Sequence, residues 1–231
     1  MRLGILETGA PPAGLDATFG DYPQMFRRLL GPGYDYADFD AAAGQLPAHP
    51  QTCDAYVITG SPASAYEDAA WIAGLKDFLR AARGQAALVG VCFGHQIMAE
   101  AFDGRVEKSE RGWGIGLHSY VVRAPQPWMD AVGEFRAPAS HQDQVVGPPP
   151  GAVVVAGSDF CPVGMLAWTD QPAISIQLHP EFEPAYAKAL VDSRRATRIA
   201  EEHAVQAIES LDAPDDRARL ADWIRRFLER G

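Results

Sequence analysis

Two rhythms of apolar and polar positions alternate along the first hundred residues. Leu3–Leu6 is a short continuous apolar run, which reads as a buried strand, and it ends in a Gly/Pro-rich loop over 9–14. Met25, Phe26, Leu29 and Leu30 recur at helical spacing within Tyr22–Leu30, and Gly31-Pro32-Gly33 stops that helix. Tyr34–Phe39 and Ala55–Thr59 read as the second and third strands, the latter broken by Gly60-Ser61-Pro62. Trp71, Ile72, Leu75, Phe78 and Leu79 form another helical stripe, ending near Gly84. Ala87–Val91 is a fourth strand, apolar throughout as strands covered on both faces are, and it runs directly into a helix carrying Ile97, Ala101 and Phe102.

Strands alternating with helices imply βαβ units and a parallel sheet. Beyond Gly112 the texture changes: Tyr120–Val122, Val145–Val146, Val153–Ala156, Met165–Trp168 and Ala173–Gln177 read as short strands between turns, which favours antiparallel or mixed pairing. Pro148-Pro149-Pro150-Gly151 reads as a loop. From Ala185 the chain turns helical and charged, with a break near Ala213-Pro214 and an apolar stripe of Trp223, Ile224, Phe227 and Leu228. That stripe is expected to pack back onto its own domain, a partner surface being the alternative. The expected fold is α/β: a mixed, mostly parallel central sheet flanked by helices over 1–192, with a short helical extension over 193–231 packed on the same domain.

Composition narrows the class. The chain has 231 residues and a formal charge of −10, a balance that argues against nucleic acid or an anionic membrane as partner, since both demand clustered Lys and Arg. A chain of this length can bury about 70% of its unfolded surface, so it needs neither disulfide nor metal to fold. Cys53, Cys92 and Cys161 are widely spaced and form no C-x-x-C pair, which suits neither a disulfide framework nor a zinc site. The N-terminus enters an apolar strand at once with no charged leader, and no apolar run approaches the roughly 18 residues of a membrane span. The expectation is a soluble, cytoplasmic protein of a reducing compartment.

Gly90-Val91-Cys92-Phe93-Gly94 lies at a strand-to-helix junction. The pattern glycine-x-nucleophile-x-glycine makes a sharp turn that lifts one side chain above the sheet. At a helix N-terminus the dipole and the free N–H groups favour thiolate over thiol, and the N–H of Phe93 is placed to receive an oxyanion. Cys53 and Cys161, in contrast, read as small core residues. A thiol nucleophile needs a base. His49 and His203 sit in polar surroundings, and His95, three residues into the new helix, is expected to pack or cap. His179 follows a strand end, precedes Pro180 and is trailed by Glu181, which can hold the imidazole tautomer. If its strand runs parallel to that of Cys92, both stand at the same sheet edge, where open α/β sheets build their sites.

Val91-Cys92-Phe93-Gly94-His95-Gln96 together with Gln177-Leu178-His179-Pro180-Glu181 resembles the class I, triad-type glutamine amidotransferase family. Thr59-Gly60-Ser61-Pro62 resembles the family's oxyanion strand, and Ser140-His141-Gln142-Asp143 resembles the S-H-x-D element of GMP-synthetase amidotransferase domains, with Gln142 where that pattern has glycine. The resemblance implies a flavodoxin-like architecture and a Cys92–His179–Glu181 triad that forms a γ-glutamyl thioester. It implies an oxyanion hole from the backbone of Gly60 and Phe93, and substrate binding by Gln96 with the backbone around Ser140 and His141. No metal or organic cofactor is implied; the partner is a small molecule, glutamine or a γ-glutamyl compound.

The family normally delivers ammonia to a synthetase domain or to a separate synthetase chain. This sequence carries no G-x-x-x-x-G-K-[ST] phosphate loop and no Ser-Gly-Gly-type pyrophosphatase loop. Three readings follow: an amidotransferase or glutaminase serving a synthetase partner chain, a γ-glutamyl peptide or conjugate hydrolase with water as acceptor, and a non-catalytic binding protein on the same fold. The complete triad argues against the third.

Overall fold

The short apolar runs form the middle of one sheet. In the computed structural model, which describes residues 1–131 and 133–230, the chain begins β1 (Arg2–Glu7), α1 (Leu15–Phe19), α2 (Tyr22–Leu30), β2 (Asp35–Asp40), β3 (Ala55–Ile58), α3 (Ala70–Ala82), β4 (Ala87–Val91) and α4 (Phe93–Ala101). Seven strands follow: β5 (Arg105–Lys108), β6 (Gly114–Val122), β7 (Glu134–His141), β8 (Asp143–Gly147), β9 (Ala152–Gly157), β10 (Met165–Trp168) and β11 (Ala173–Ile176). The chain closes with α5 (Pro184–Arg194), α6 (Glu201–Ser210) and α7 (Arg217–Leu228).

Nine strands make one sheet in the order β2-β1-β3-β4-β11-β10-β9-β6-β7, and β5 pairs with β8 apart from it. The first five of that order run parallel to one another, and the remaining pairings are antiparallel. This is an α/β fold with a mixed, mostly parallel central sheet. Alternate residues of each central strand enter different layers, as the period of two dictates. Leu3, Ile5, Val57 and Val89 face the side covered by α2 and α7, whereas Leu6, Tyr56, Ile58 and Leu88 face α3 and α4.

Besides α1 and β5, which the pattern does not predict, three departures from the expectation matter here. β7 spans a stretch that contains Pro138, a residue that argues against a strand; it is tolerated because β7 is the sheet's edge and pairs only with β6. β6 begins at Gly114, well before Tyr120, because its first half is glycine-rich and polar and shows little apolar run. The C-terminal helical stretch also breaks once more than expected, between α5 and α6, where Ala196 takes a positive φ of 56° and Arg195 bridges to Ile199. That second break leaves Arg194 at the end of α5, which matters below. Trp223 of α7 is fully buried, and its ring meets Phe135 and Trp128 edge-on.

Candidate active site

β4 ends at Val91 and α4 starts at Phe93, so one residue makes the whole turn. Cys92 does so with φ 53° and ψ −103°, a region that a side-chain-bearing residue enters only under constraint. Its N–H donates to the Ile176 carbonyl at 2.9 Å, and its own carbonyl accepts from Gln96 N at 3.1 Å. The flanking glycines have steric reasons. A Cβ on Gly94 would stand 2.2 Å from the Ile58 carbonyl oxygen, and one on Gly90 would stand 2.5 Å from the Gly94 carbonyl oxygen. The turn closes only because neither residue carries a side chain.

β4 and β11 are parallel neighbours, with Val91 opposite Ile176, so the segment after β11 emerges beside Cys92. There His179 N donates to the carbonyl of Pro138 on β7 at 2.8 Å, and the ring of Phe182 stacks on the imidazole at 3.9 Å and 6°. His179 Nδ1 lies 2.7 Å from Glu181 Oε1, and both side chains are buried. Burial by itself lowers the His179 pKa. The Cys92 sulfur and then the Glu181 carboxylate raise it, and they prevail, taking it from 6.5 to about 10. Both the sulfur and the carboxylate favour the protonated imidazole over the neutral ring.

Gly60 completes the cluster, for a Cβ there would lie 3.0 Å from His179 Cε1 and 3.8 Å from Cys92 Cβ. The Thr59 carbonyl accepts from Gly94 N at 3.1 Å and from Thr8 Oγ1 at 3.0 Å. Because the peptide is trans, anchoring that carbonyl aims the Gly60 N–H the opposite way. Among the described residues neither Gly60 N–H nor Phe93 N–H donates to a protein acceptor.

Two cavities meet at Cys92. One, of about 280 Å³, is lined by Gly60, Cys92, His179, Tyr22, Phe182 and Arg194 among others. The second, of about 230 Å³, reaches Gln96, His141, Asp143, Tyr66 and Trp113. Ser61, Pro62, Ser140 and Arg194 border both. The Gln96 amide nitrogen donates to the Asp143 carbonyl at 2.8 Å and to Gln177 Oε1 at 3.1 Å, so only its oxygen is left for a ligand. The Ser140 carbonyl is 4.0 Å from Cys92 Sγ, and its hydroxyl accepts from Arg194 Nη1 at 2.7 Å. His141 is buried with Nδ1 on the Asp143 carbonyl at 3.2 Å, and burial, with His118 nearby, pushes its pKa down to about 3.

The other candidates fall elsewhere. His95 is fully buried between Ser175 Oγ (2.8 Å) and the Val163 carbonyl (3.0 Å), and burial lowers its pKa to about 4. His49 and His203 are exposed. Cys53 and Cys161 are buried, and desolvation pushes the Cys161 thiol up to about 12. Trp113 packs against the buried cluster of Ile115, Val191 and Ile199 and also walls the second cavity, with the Arg194 guanidinium 5.3 Å over its ring.

A model of the family "Glutamine amidotransferase class-I" matches residues 34–192, a span holding Gly60, Cys92, Ser140, His179 and Glu181. The chain belongs to the class-I glutamine amidotransferases. It is 28% identical to a glutamine amidotransferase-like protein of Schizosaccharomyces pombe over 98% of both chains. It is 29% identical to gamma-glutamyl peptidase 3 of Arabidopsis thaliana over 92% of this chain and 90% of that one. Identity is also 29% to a glutamine-hydrolysing GMP synthase component of Halobacterium salinarum, over 70% and 84% respectively. The fold is shared with a glutamine amidotransferase of Thermotoga maritima, at a TM-score of 0.75 and 16% identity, covering 99% and 97% of the two chains. No helix among the described residues of this amidotransferase-family chain is long and apolar enough to cross a membrane.

Sequence reasoning passed over Thr8, Phe182 and Arg194. Thr8 and Thr59 are 51 positions apart, and only the pairing of β1 with β3 brings them together. Phe182 carried a usable signal, an aromatic beside His-Pro-Glu. Arg194 carried none, because its place depends on where α5 stops.

Proposed function

We propose that this chain hydrolyses γ-glutamyl amide bonds through a thioester on Cys92. The observation that carries this reading is the buried His179–Glu181 pair beside a cysteine held in a strained turn at a cavity. The sulfur, whose proton His179 already holds, attacks the side-chain carbonyl carbon of glutamine or a γ-glutamyl compound. The tetrahedral oxyanion is met by the unengaged N–H groups of Gly60 and Phe93; losing one such donor typically slows a reaction about 10²- to 10³-fold. As the carbon–nitrogen bond breaks, His179 gives its proton to the leaving nitrogen, and Glu181 keeps the imidazole oriented. Water, deprotonated by His179, then cleaves the thioester, releasing glutamate and leaving the imidazole protonated for the next cycle.

With glutamine the leaving group is ammonia, which a synthetase partner would consume; the likeness to the Halobacterium GMP synthase component supports that version. With a γ-glutamyl peptide the leaving group is an amine of some size. The cavity on the His179 side, together with near full-length likeness to gamma-glutamyl peptidase 3, supports this second version.

The test measures ammonia release from glutamine and amine release from γ-glutamyl dipeptides by the purified chain. The wild-type chain should turn over at least one, and Cys92→Ala should lose at least about 10⁴-fold while melting at the same temperature. A glutamine-like electrophile should label Cys92 far ahead of Cys53 and Cys161. Wild-type rates in Cys92→Ala would refute the assignment.

A further inference from the structure

Arg194 is a half-buried cation with no anion beside it among the described residues. Its guanidinium donates to Ser140 Oγ at 2.7 Å and lies 5.3 Å over the Trp113 ring, yet no carboxylate stands within 4.0 Å of it among the described residues. The next residue along differs: Arg195 pairs with both Asp192 and Glu201 at 3.0 Å. Burial pulls the Arg194 pKa below the usual guanidinium value, which is the mark of a charge whose lost hydration is not replaced. Ser140 occupies one donor of a planar fork suited to carboxylates, and the other donors remain available. Arg198, exposed and among the described residues also without a carboxylate partner, borders the same two cavities.

The direction of the reaction decides which end of a substrate meets this cation. His179 protonates the leaving nitrogen, so whatever is attached to that nitrogen occupies the cavity His179 lines. His179 lines the cavity of about 280 Å³ and not the second one, where Gln96 stands. Ammonia fills about as much space as a water molecule, roughly 30 Å³, and leaves most of that cavity empty. Its walls combine the apolar Tyr22, Phe182 and Leu190 with Arg194, a surface for an amine that is both larger and anionic.

We propose that Arg194, with Arg198 beside it, reads a carboxylate on the leaving-group side, so that the preferred substrates are γ-glutamyl amino acids or peptides with a free carboxylate rather than glutamine. This rests on the γ-glutamyl hydrolysis reading above, and it assigns Arg194 to specificity.

The experiment compares γ-glutamyl-alanine with γ-glutamyl-alaninamide, which differ in the charge of the leaving amine, and uses glutamine as reference. The wild-type kcat/KM should favour the acid over the amide by at least about tenfold, the size of one charge-assisted hydrogen bond. Arg194→Met should collapse that ratio to about one, and Arg194→Lys should restore part of it. Binding of the same pair to Cys92→Ala, followed by calorimetry, reads the same preference without turnover. Equal wild-type rates on acid and amide overturn the role of Arg194 and leave the hydrolysis reading standing. An unchanged ratio in Arg194→Met overturns it too, as does an equal loss on all three substrates, which would mean that the residue only holds Ser140. A chain that neither cleaves nor binds any of them overturns both readings together.

Discussion

His179 is the residue whose chemistry most depends on its neighbours. Imidazole alone titrates near 6.5, and burial pushes that value down, yet here the Cys92 sulfur and the Glu181 carboxylate carry it to about 10. The folded chain therefore holds a proton between those two values that the unfolded chain has released. Stability from this proton is complete below about pH 6.5 and is lost as pH rises towards 10. Replacing the imidazole with a neutral amide removes the dependence. The difference in urea unfolding free energy between the wild-type chain and His179→Gln should thus shrink steadily from about pH 6 to about pH 10. A difference that stays constant would mean that His179 is not held as an imidazolium. The same proton serves the proposed chemistry, since the leaving nitrogen must receive one.

At the scale of elements the decisive feature is the approach of α4 to the strands beneath it. Cys92 turns the chain in a single residue, and α4 begins directly over β3 because Gly94 presents no side chain to Ile58. Gly94→Ala places a methyl 2.2 Å from the Ile58 carbonyl oxygen, with backbone on both sides of the clash. The expected loss is about 3 kcal/mol, a fall in Tm of roughly 6–12 °C for a chain of this size. Gly33→Ala is the control, because a Cβ there meets nothing within 4 Å, and its Tm should move by about a degree. Calorimetry on the two variants checks both; similar melting temperatures would show that the junction tolerates a side chain. The edge strand β7 contributes by a different route. Its Pro138 supplies no N–H to the sheet but offers the carbonyl that takes His179 N, so the strand least legible in the sequence fixes the height of the histidine.

The molecule as a whole is a sheet covered on two faces, with its candidate site gathered along one edge. Gly60, Cys92 and His179 all follow the C-terminal ends of β3, β4 and β11, where parallel strands leave their loops together. One cover depends heavily on α7. Trp223 is fully buried, lies edge-on to Phe135 at 5.3 Å and donates through Nε1 to Asp130 at 2.5 Å. Trp223→Ala should destabilise the chain by about 3–5 kcal/mol, measured by urea unfolding, because it empties a large buried volume and leaves Asp130 without that donor. A loss below about 1 kcal/mol would mean that α7 adds little to the cover.

Local pattern alone determined the alternating α/β order of the first half, the strand-to-helix position of Cys92, the resemblance that linked it to His179 and Glu181, and the burial of Cys53 and Cys161. These are properties of a few adjacent residues: apolar runs, helical stripes, glycines spaced for a tight turn. Only the tertiary structure decided that Thr8 holds the Gly60 loop, that a proline-bearing stretch becomes the edge strand, and that Trp113 walls a cavity. Each of these joins segments far apart in the chain, through a pairing register or a helix end that no local window contains. Arg194 is the extreme case. Its sequence surroundings show a charged helix like any other, and its place between two cavities comes from where α5 stops and which hydroxyl and ring happen to face it there.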